Sequence, residues 1–271
     1  MSGKTLAGQM MRFLTLIAAM LMLPLAALAC GRDTDCIIPS GTYRIVLPDG
    51  ASGPIGAVVF AHGYQGSAEG AMKNAGLIRM ATDRGLAFIA LDALGGDWAL
   101  PNAPGHAVEA RDEMAYLDAV IADAGQRFGV QPKRTVITGF SAGGMFVWNA
   151  ICDRGDAYGG YIPYSGTFWK GPPATCAAGV PNIVHVHGDA DTTVPLEGRA
   201  IGETRQGSVP ATLAMYRADK GFVGETRFDT GDMACERSVT SDGKHLDFCM
   251  FPGKHSFTAE RLATAYELLI Q

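Results

Sequence analysis

Gly139-Phe140-Ser141-Ala142-Gly143 places a serine between small residues in a G-x-S-x-G pattern. Arg134-Thr135-Val136-Ile137-Thr138 before it is β-branched and apolar, and predicts a buried parallel strand. Gly144 to Ala150 after it predicts a helix. A serine on a sharp strand-to-helix turn is exposed for nucleophilic attack. The glycines let the chain turn where a side chain would clash. The first free N–H groups of the new helix point toward the place where an oxyanion would form. The chemistry this predicts is acyl transfer through Ser141.

A serine hydroxyl needs a base, and the base needs an orienting carboxylate. With a serine elbow of this type the expected chain order is Ser, then Asp or Glu, then His. His187-Gly188-Asp189-Ala190-Asp191-Thr192-Thr193-Val194-Pro195 follows a predicted strand and offers Asp189 and Asp191. Asp191 is preferred, because Asp189 beside Gly188 is well explained as a turn residue. The base should lie after the last strand, where Pro252-Gly253-Lys254-His255-Ser256-Phe257 supplies His255. His245 precedes that strand, His106 precedes Ser141, and His185 and His187 fall on a buried strand as core or supporting residues. Two N–H donors are needed for the oxyanion. Ala142 should give one, and the loop His62-Gly63-Tyr64-Gln65-Gly66-Ser67 the other, with Tyr64 as the donor.

These residues must be held by a scaffold. Strands are expected at Thr42–Leu47, Ile55–Ala61, Leu86–Leu91, Arg134–Thr138, Gly160–Tyr164, Asn182–His187 and Leu246–Phe251, the last closing the sheet. Helices are expected at Ala71–Arg84, Val108–Phe128, after the elbow, and at Thr258–Ile270. A long loop from Asp92 to Gly105 holds Trp98. Strands alternating with helices give an α/β fold with a mainly parallel central sheet and helices on both faces.

The chain has 271 residues, 48% hydrophobic and 18% charged, which fits a globular protein and not a disordered or nucleic-acid-binding one. Lys4 and Arg12 precede an apolar run from Phe13 to Leu23, and Ala27-Leu28-Ala29 ends it. This predicts a signal peptide over 1–29 and one catalytic domain over 30–271. Its removal would take two positive and no negative charges, moving the net charge from −5 to −7. No stable membrane insertion is expected after cleavage, and an acidic product is a poor partner for nucleic acid. Six cysteines remain, and chain order suggests Cys30–Cys36, Cys152–Cys176 and Cys235–Cys249. Ser241-Asp242-Gly243 predicts a three-residue hairpin loop that sets Cys235 opposite Cys249. Ala27-Leu28-Ala29-Cys30 also reads as a weak lipidation signal, but lipidating Cys30 would leave Cys36 unpaired. Metal, P-loop and dinucleotide motifs are not found, so no cofactor is expected.

The chain resembles the α/β-hydrolase esterases that include polyhydroxybutyrate depolymerases, feruloyl esterases and acetylxylan esterases. The resemblance spans roughly residues 36 to 270 and rests on specific markers. These are His62-Gly63, the Trp98 loop, Pro132-Lys133-Arg134 leading into Thr138 to Gly144, and His187-Gly188-x-x-Asp191-x-x-Val194-Pro195. It implies the α/β-hydrolase fold, with Ser141, Asp191 and His255 as nucleophile, acid and base, and Trp98 near the substrate cleft. Ser256-Phe257 stands where many relatives carry a tryptophan, and Gln131 where an aspartate is common. The expected activity is an exported serine esterase acting on small or oligomeric esters: hydroxyalkanoate oligomers, feruloyl or acetyl esters. A peptidase of the same fold and a secreted binding protein without chemistry are the alternatives.

Overall fold

Runs of buried apolar residues build the middle of a ten-stranded sheet. The computed structural model describes residues 30–104 and 111–271. The expected signal peptide and His106 lie outside the described residues. The strands are β1 (Cys36–Ile38), β2 (Gly41–Val46), β3 (Ile55–Ala61), β4 (Ala87–Leu91), β5 (Val130–Phe140), β6 (Gly160–Tyr164) and β7 (Ile183–Gly188). After them come a small hairpin, β8 (Ala200–Ile201) and β9 (Thr204–Arg205), then β10 (Val223–Thr230), β11 (Met233–Val239) and β12 (His245–Phe251). The order across the large sheet is β1-β2-β4-β3-β5-β6-β7-β12-β11-β10. Strands β4 through β12 of that order pair in parallel, and antiparallel strands flank them on both sides. Strands buried on both faces need no polar alternation, which is why β3, β4 and β6 read as nearly continuous apolar runs, while β7 is equally buried but carries His185 and His187.

Helices α1 (Ala68–Met72), α2 (Ala75–Thr82) and α6 (Ala259–Leu269) cover one face. Helices α3 (Glu113–Phe128), α4 (Ala142–Arg154) and α5 (Val209–Lys220) cover the other. The expected helix at Ala71–Arg84 is in fact two helices. Asn74 leaves helical geometry and its side chain accepts from Leu77 N–H, starting α2 anew. The described part of the Val108–Phe128 helix begins later than expected, at Glu113. Asp112 caps it by accepting from Met114 and Ala115 N–H.

Strand β12 does not close the sheet, as β11 and β10 continue beyond it. β10 reads Val-Gly-Glu-Thr-Arg-Phe-Asp-Thr and is mostly exposed, so apolar alternation is too weak to announce it. Charged residues along such an edge discourage pairing with other chains. The hairpin between β11 and β12 has the expected form. Gly243 takes φ +84°, Thr240 N–H donates to Lys244 O at 2.8 Å, and Cys235 faces Cys249. All three expected disulfides are formed.

Candidate active site

Ser141 stands between β5 and α4 at φ 59° and ψ −118°. A non-glycine residue held there costs roughly 1–3 kcal/mol, so the surrounding packing must enforce it. Ser141 N–H donates to Tyr164 O at 2.9 Å, which ties the turn to β6. The flanking glycines are required by close approach. A Cβ on Gly143 would lie 1.9 Å from Ala61 O, and one on Gly139 would lie 2.5 Å from Gly143 O. Helix α4 therefore starts hard against the ends of β3 and β5, with its first N–H groups beside the serine.

Asp191 and His255 meet across sixty-four residues of chain: His255 Nδ1 lies 2.6 Å from Asp191 Oδ2. The carboxylate is buried, and its Oδ1 accepts from Thr193 and Val194 N–H, both at 2.8 Å. Burial alone would raise its pKa. The His255 bond and the two backbone donors outweigh burial, and the net shift is downward. Asp191 is thus held as an anion facing an imidazole. Asp189 does something else: its Oδ1 accepts from Gly253 N–H at 2.9 Å, steadying the turn that leads to His255. The His255 ring packs against Phe140, the residue before Ser141, at 4.6 Å between centroids. The Ser141 hydroxyl and His255 are not hydrogen-bonded to each other among the described contacts. Catalytic bonds of this kind often tighten only when substrate binds.

The loop after β3 runs directly over the elbow, since a Cβ on Gly63 would lie 3.5 Å from Ser141 Cβ. Gln65 N–H donates to Gly96 O and Gly66 N–H to Gly63 O. Neither Tyr64 N–H nor Ala142 N–H takes a hydrogen-bond partner among the described residues. The Tyr64 side chain is exposed. His62 anchors the loop from below. Its Nδ1 donates to Gly63 O at 2.8 Å, and its Nε2 accepts from Ala93 N–H at 3.2 Å.

Trp98 does not lie open at a cleft. It is 2% exposed, packs on Phe146 at 4.7 Å and on the His62 ring at 4.9 Å, and donates from Nε1 to His62 O at 2.8 Å. The indole holds the loop that carries Tyr64. Its own loop is held in turn by a buried ion pair. Arg111 bonds Glu113 at 2.7 Å and Asp92 O at 3.0 Å, while Glu113 accepts from Ala99 N–H at 3.1 Å. Among the described residues no cluster of three or more His, Cys, Asp or Glu side chains is arranged to hold a metal ion.

Solved hydrolases superpose on this fold. The S-formylglutathione hydrolase of Agrobacterium tumefaciens superposes with a TM-score of 0.58 at 15% identity, covering 84% of this chain and 90% of that one. The fold is that of the α/β-hydrolases. The acetyl xylan esterase of Aspergillus awamori shares this α/β-hydrolase fold with a TM-score of 0.59 at 14% identity, over 83% of this chain and 93% of that one. FphF of Staphylococcus aureus, a fluorophosphonate-binding serine hydrolase, gives 0.58 at 14% identity, over 88% and 96%. The model of the phospholipase/carboxylesterase family matches residues 100–207, the part of this α/β-hydrolase fold that holds the elbow and Asp191. NocK of Nocardia uniformis subsp. tsuyamanensis, assigned by its name to the esterases, is 27% identical over 153 residues. That match covers 56% of this chain and 43% of NocK, so the chain spans less than half the length of this relative.

Contacts around Asp191 were hidden from sequence reasoning. Phe140 beneath His255 and the ties from His62 to Ala93 and Trp98 join distant segments, while the Thr193 and Val194 donors are a local turn around Asp191. Only the placement of His185 and His187 on one face of a strand could be read from their spacing of two.

Proposed function

We propose that the protein is an exported serine esterase in which Ser141, His255 and Asp191 form the catalytic triad. One observation carries the reading: a buried, anionic Asp191 bonds His255 at 2.6 Å, and that imidazole lies against the residue next to the strained Ser141. His255 Nε2 takes the serine proton as Oγ attacks the ester carbonyl carbon, and Asp191 stabilises the imidazolium. The oxyanion is received by the free N–H groups of Tyr64 and Ala142. The tetrahedral intermediate collapses, the alcohol leaves with the proton held by His255, and an acyl group remains on Ser141. Water then enters by the same general-base route and releases the acid.

The substrates are carboxylic esters with small acetyl, feruloyl or hydroxyalkanoate acyl groups. Relatives named as esterases support the ester class, and the acetyl xylan esterase of like fold supports the acetyl member of it. Three disulfides support an oxidising compartment. Among the described residues no helix is long and apolar enough to cross a membrane.

The test is hydrolysis of p-nitrophenyl acetate and butyrate, methyl ferulate and hydroxybutyrate oligomers by the oxidised protein, beside Ser141→Ala. Turnover that disappears in the variant supports the esterase, and the preferred ester names its class. Equal rates in the two proteins would refute it.

A further inference from the structure

Behind the Asp191 loop, three side chains with no exposed surface form a line: Trp148 on α4, then His185 and His187 on β7. An indole N–H can only donate. Trp148 Nε1 donates to His185 Nδ1 at 3.1 Å, so that nitrogen is an acceptor and the His185 proton sits on Nε2. His185 Nε2 is 3.0 Å from His187 Nδ1, which must therefore accept, and the His187 proton sits on its own Nε2. That last N–H points to Val194 O at 2.8 Å, with Asp191 Oδ2 at 3.5 Å. Val194 completes the connection through its other backbone group, because its N–H donates to Asp191 Oδ1 at 2.8 Å. Both ends lack a tautomeric choice, since the indole can only donate and Val194 O can only accept, and they set the same direction for every link.

We infer that Trp148, His185 and His187 are a one-directional hydrogen-bond relay that positions Asp191 and sets how strongly the Asp191–His255 pair holds a proton. The first part rests on geometry alone, and the second on the catalytic reading above. A core histidine needs only local partners. Here both imidazoles use both nitrogens in series, the rings lie 9° from parallel at 5.3 Å, and the line ends on the loop that carries the acid. The relay works only with both imidazoles neutral, since a second proton on either would set two N–H groups face to face. Burial pushes His185 well below the usual histidine range, with His187 adding to the effect. Burial also lowers His187, against the pull of Val194 O and Asp191 and together with the push of His255. Those are the titratable groups that face the pair, and the Phe248 ring covers His185 at 5.6 Å.

The positive end of the His187 N–H dipole faces the Asp191–His255 pair. Removing it lets that pair hold an added proton more readily. His187→Phe should therefore move the ascending limb of kcat/KM upward by about half a pH unit. It should also lower kcat about tenfold or more through loss of positioning, with KM within about twofold. His187→Gln keeps a donor near the Nε2 position and should recover most of both effects. Trp148→Phe keeps an aromatic ring in the core but leaves His185 Nδ1 without its donor. Added to His187→Phe it should cost no further kcat, because the line is already cut.

Imidazole nitrogen NMR of the oxidised wild type reads the relay directly and needs no activity. Both His185 and His187 should be neutral with the proton on Nε2, and Trp148→Phe should shift the His185 Nδ1 resonance, which has lost its donor, while the proton stays on Nε2. A proton on Nδ1 of either histidine in the wild type would overturn the relay. So would a His187→Phe variant, folded by circular dichroism, with kcat and the limb unchanged. Ester turnover that is equal in wild type and Ser141→Ala would instead refute the esterase reading, leaving the NMR result to decide the direction of the line.

Discussion

Acidification from pH 7.5 to 5.5 should destabilise this protein, and buried histidines set the size of the effect. His62, His185, His187 and His245 are all buried, and burial is the largest cause lowering the pKa of each. A histidine lowered on folding leaves the unfolded chain holding more protons, so stability falls as pH drops below the ordinary value of about 6.5. At pH 7.5 the contribution is negligible. At pH 5.5 a histidine that stays neutral in the fold costs about 1.4 kcal/mol. His185, the most strongly lowered, should deliver nearly all of that. Four such residues set an upper bound of about 5.7 kcal/mol, a large share of a typical domain's stability. Glu113, which is buried, and the more open Asp97 and Asp153 work in the opposite sense, because desolvation raises them. Their proton uptake runs from those raised values down to the ordinary ones near 4, so whatever part of it falls above pH 5.5 offsets the histidine loss. Depressed Asp191 loses its contribution only below that same region. Urea unfolding at the two pH values should therefore show a loss of about 1.4 to 5.7 kcal/mol. His185→Phe should reduce that pH difference by about 1.4 kcal/mol. Equal stability at both pH values, or an unchanged difference in the variant, would refute the reasoning.

Gly143→Ala places a Cβ 1.9 Å from Ala61 O, a backbone atom that cannot swing away. Moving α4 off β3 displaces Ala142 N–H and Ser141, so kcat/KM should fall about 100-fold or more, checked by steady-state kinetics. Ser141→Gly should unfold at higher urea than Ser141→Ala by about 1–2 kcal/mol, because glycine accepts φ 59° without strain. Replacing Cys235 and Cys249 together by alanine opens a cross-link of sequence separation 14 and should cost about 3 kcal/mol in the same assay. The strand that leads to His255 should loosen with it, and limited proteolysis near Pro252 should quicken.

Local rules carried the sequence reading as far as the elbow, the parallel strands and the disulfides. Gly-x-Ser-x-Gly between an apolar run and a helix is a pattern within one segment, and so is Ser241-Asp242-Gly243 between two strands. The order Ser, Asp, His then selected Asp191 and His255, which the fold brings to 2.6 Å. Sequence failed where tertiary contact decided the outcome. Asn74 splits a helix that composition alone would continue. β10 is an exposed edge strand with little apolar signal. The burial of Trp98, whose indole N–H donates to His62 O, joins two loops that no local pattern links. The line from Trp148 to Asp191 joins three segments, and no spacing within any one of them reveals it.

The central claim is that Ser141 is an activated nucleophile. Its most direct measurement is labelling of the oxidised protein by a fluorophosphonate, followed by mass-spectrometric mapping of the modified peptide. One phosphonyl group per chain is expected, on Ser141, with labelling abolished by Ser141→Ala and strongly slowed by His255→Ala. A folded wild type that takes no label, or takes it on another residue, would contradict it.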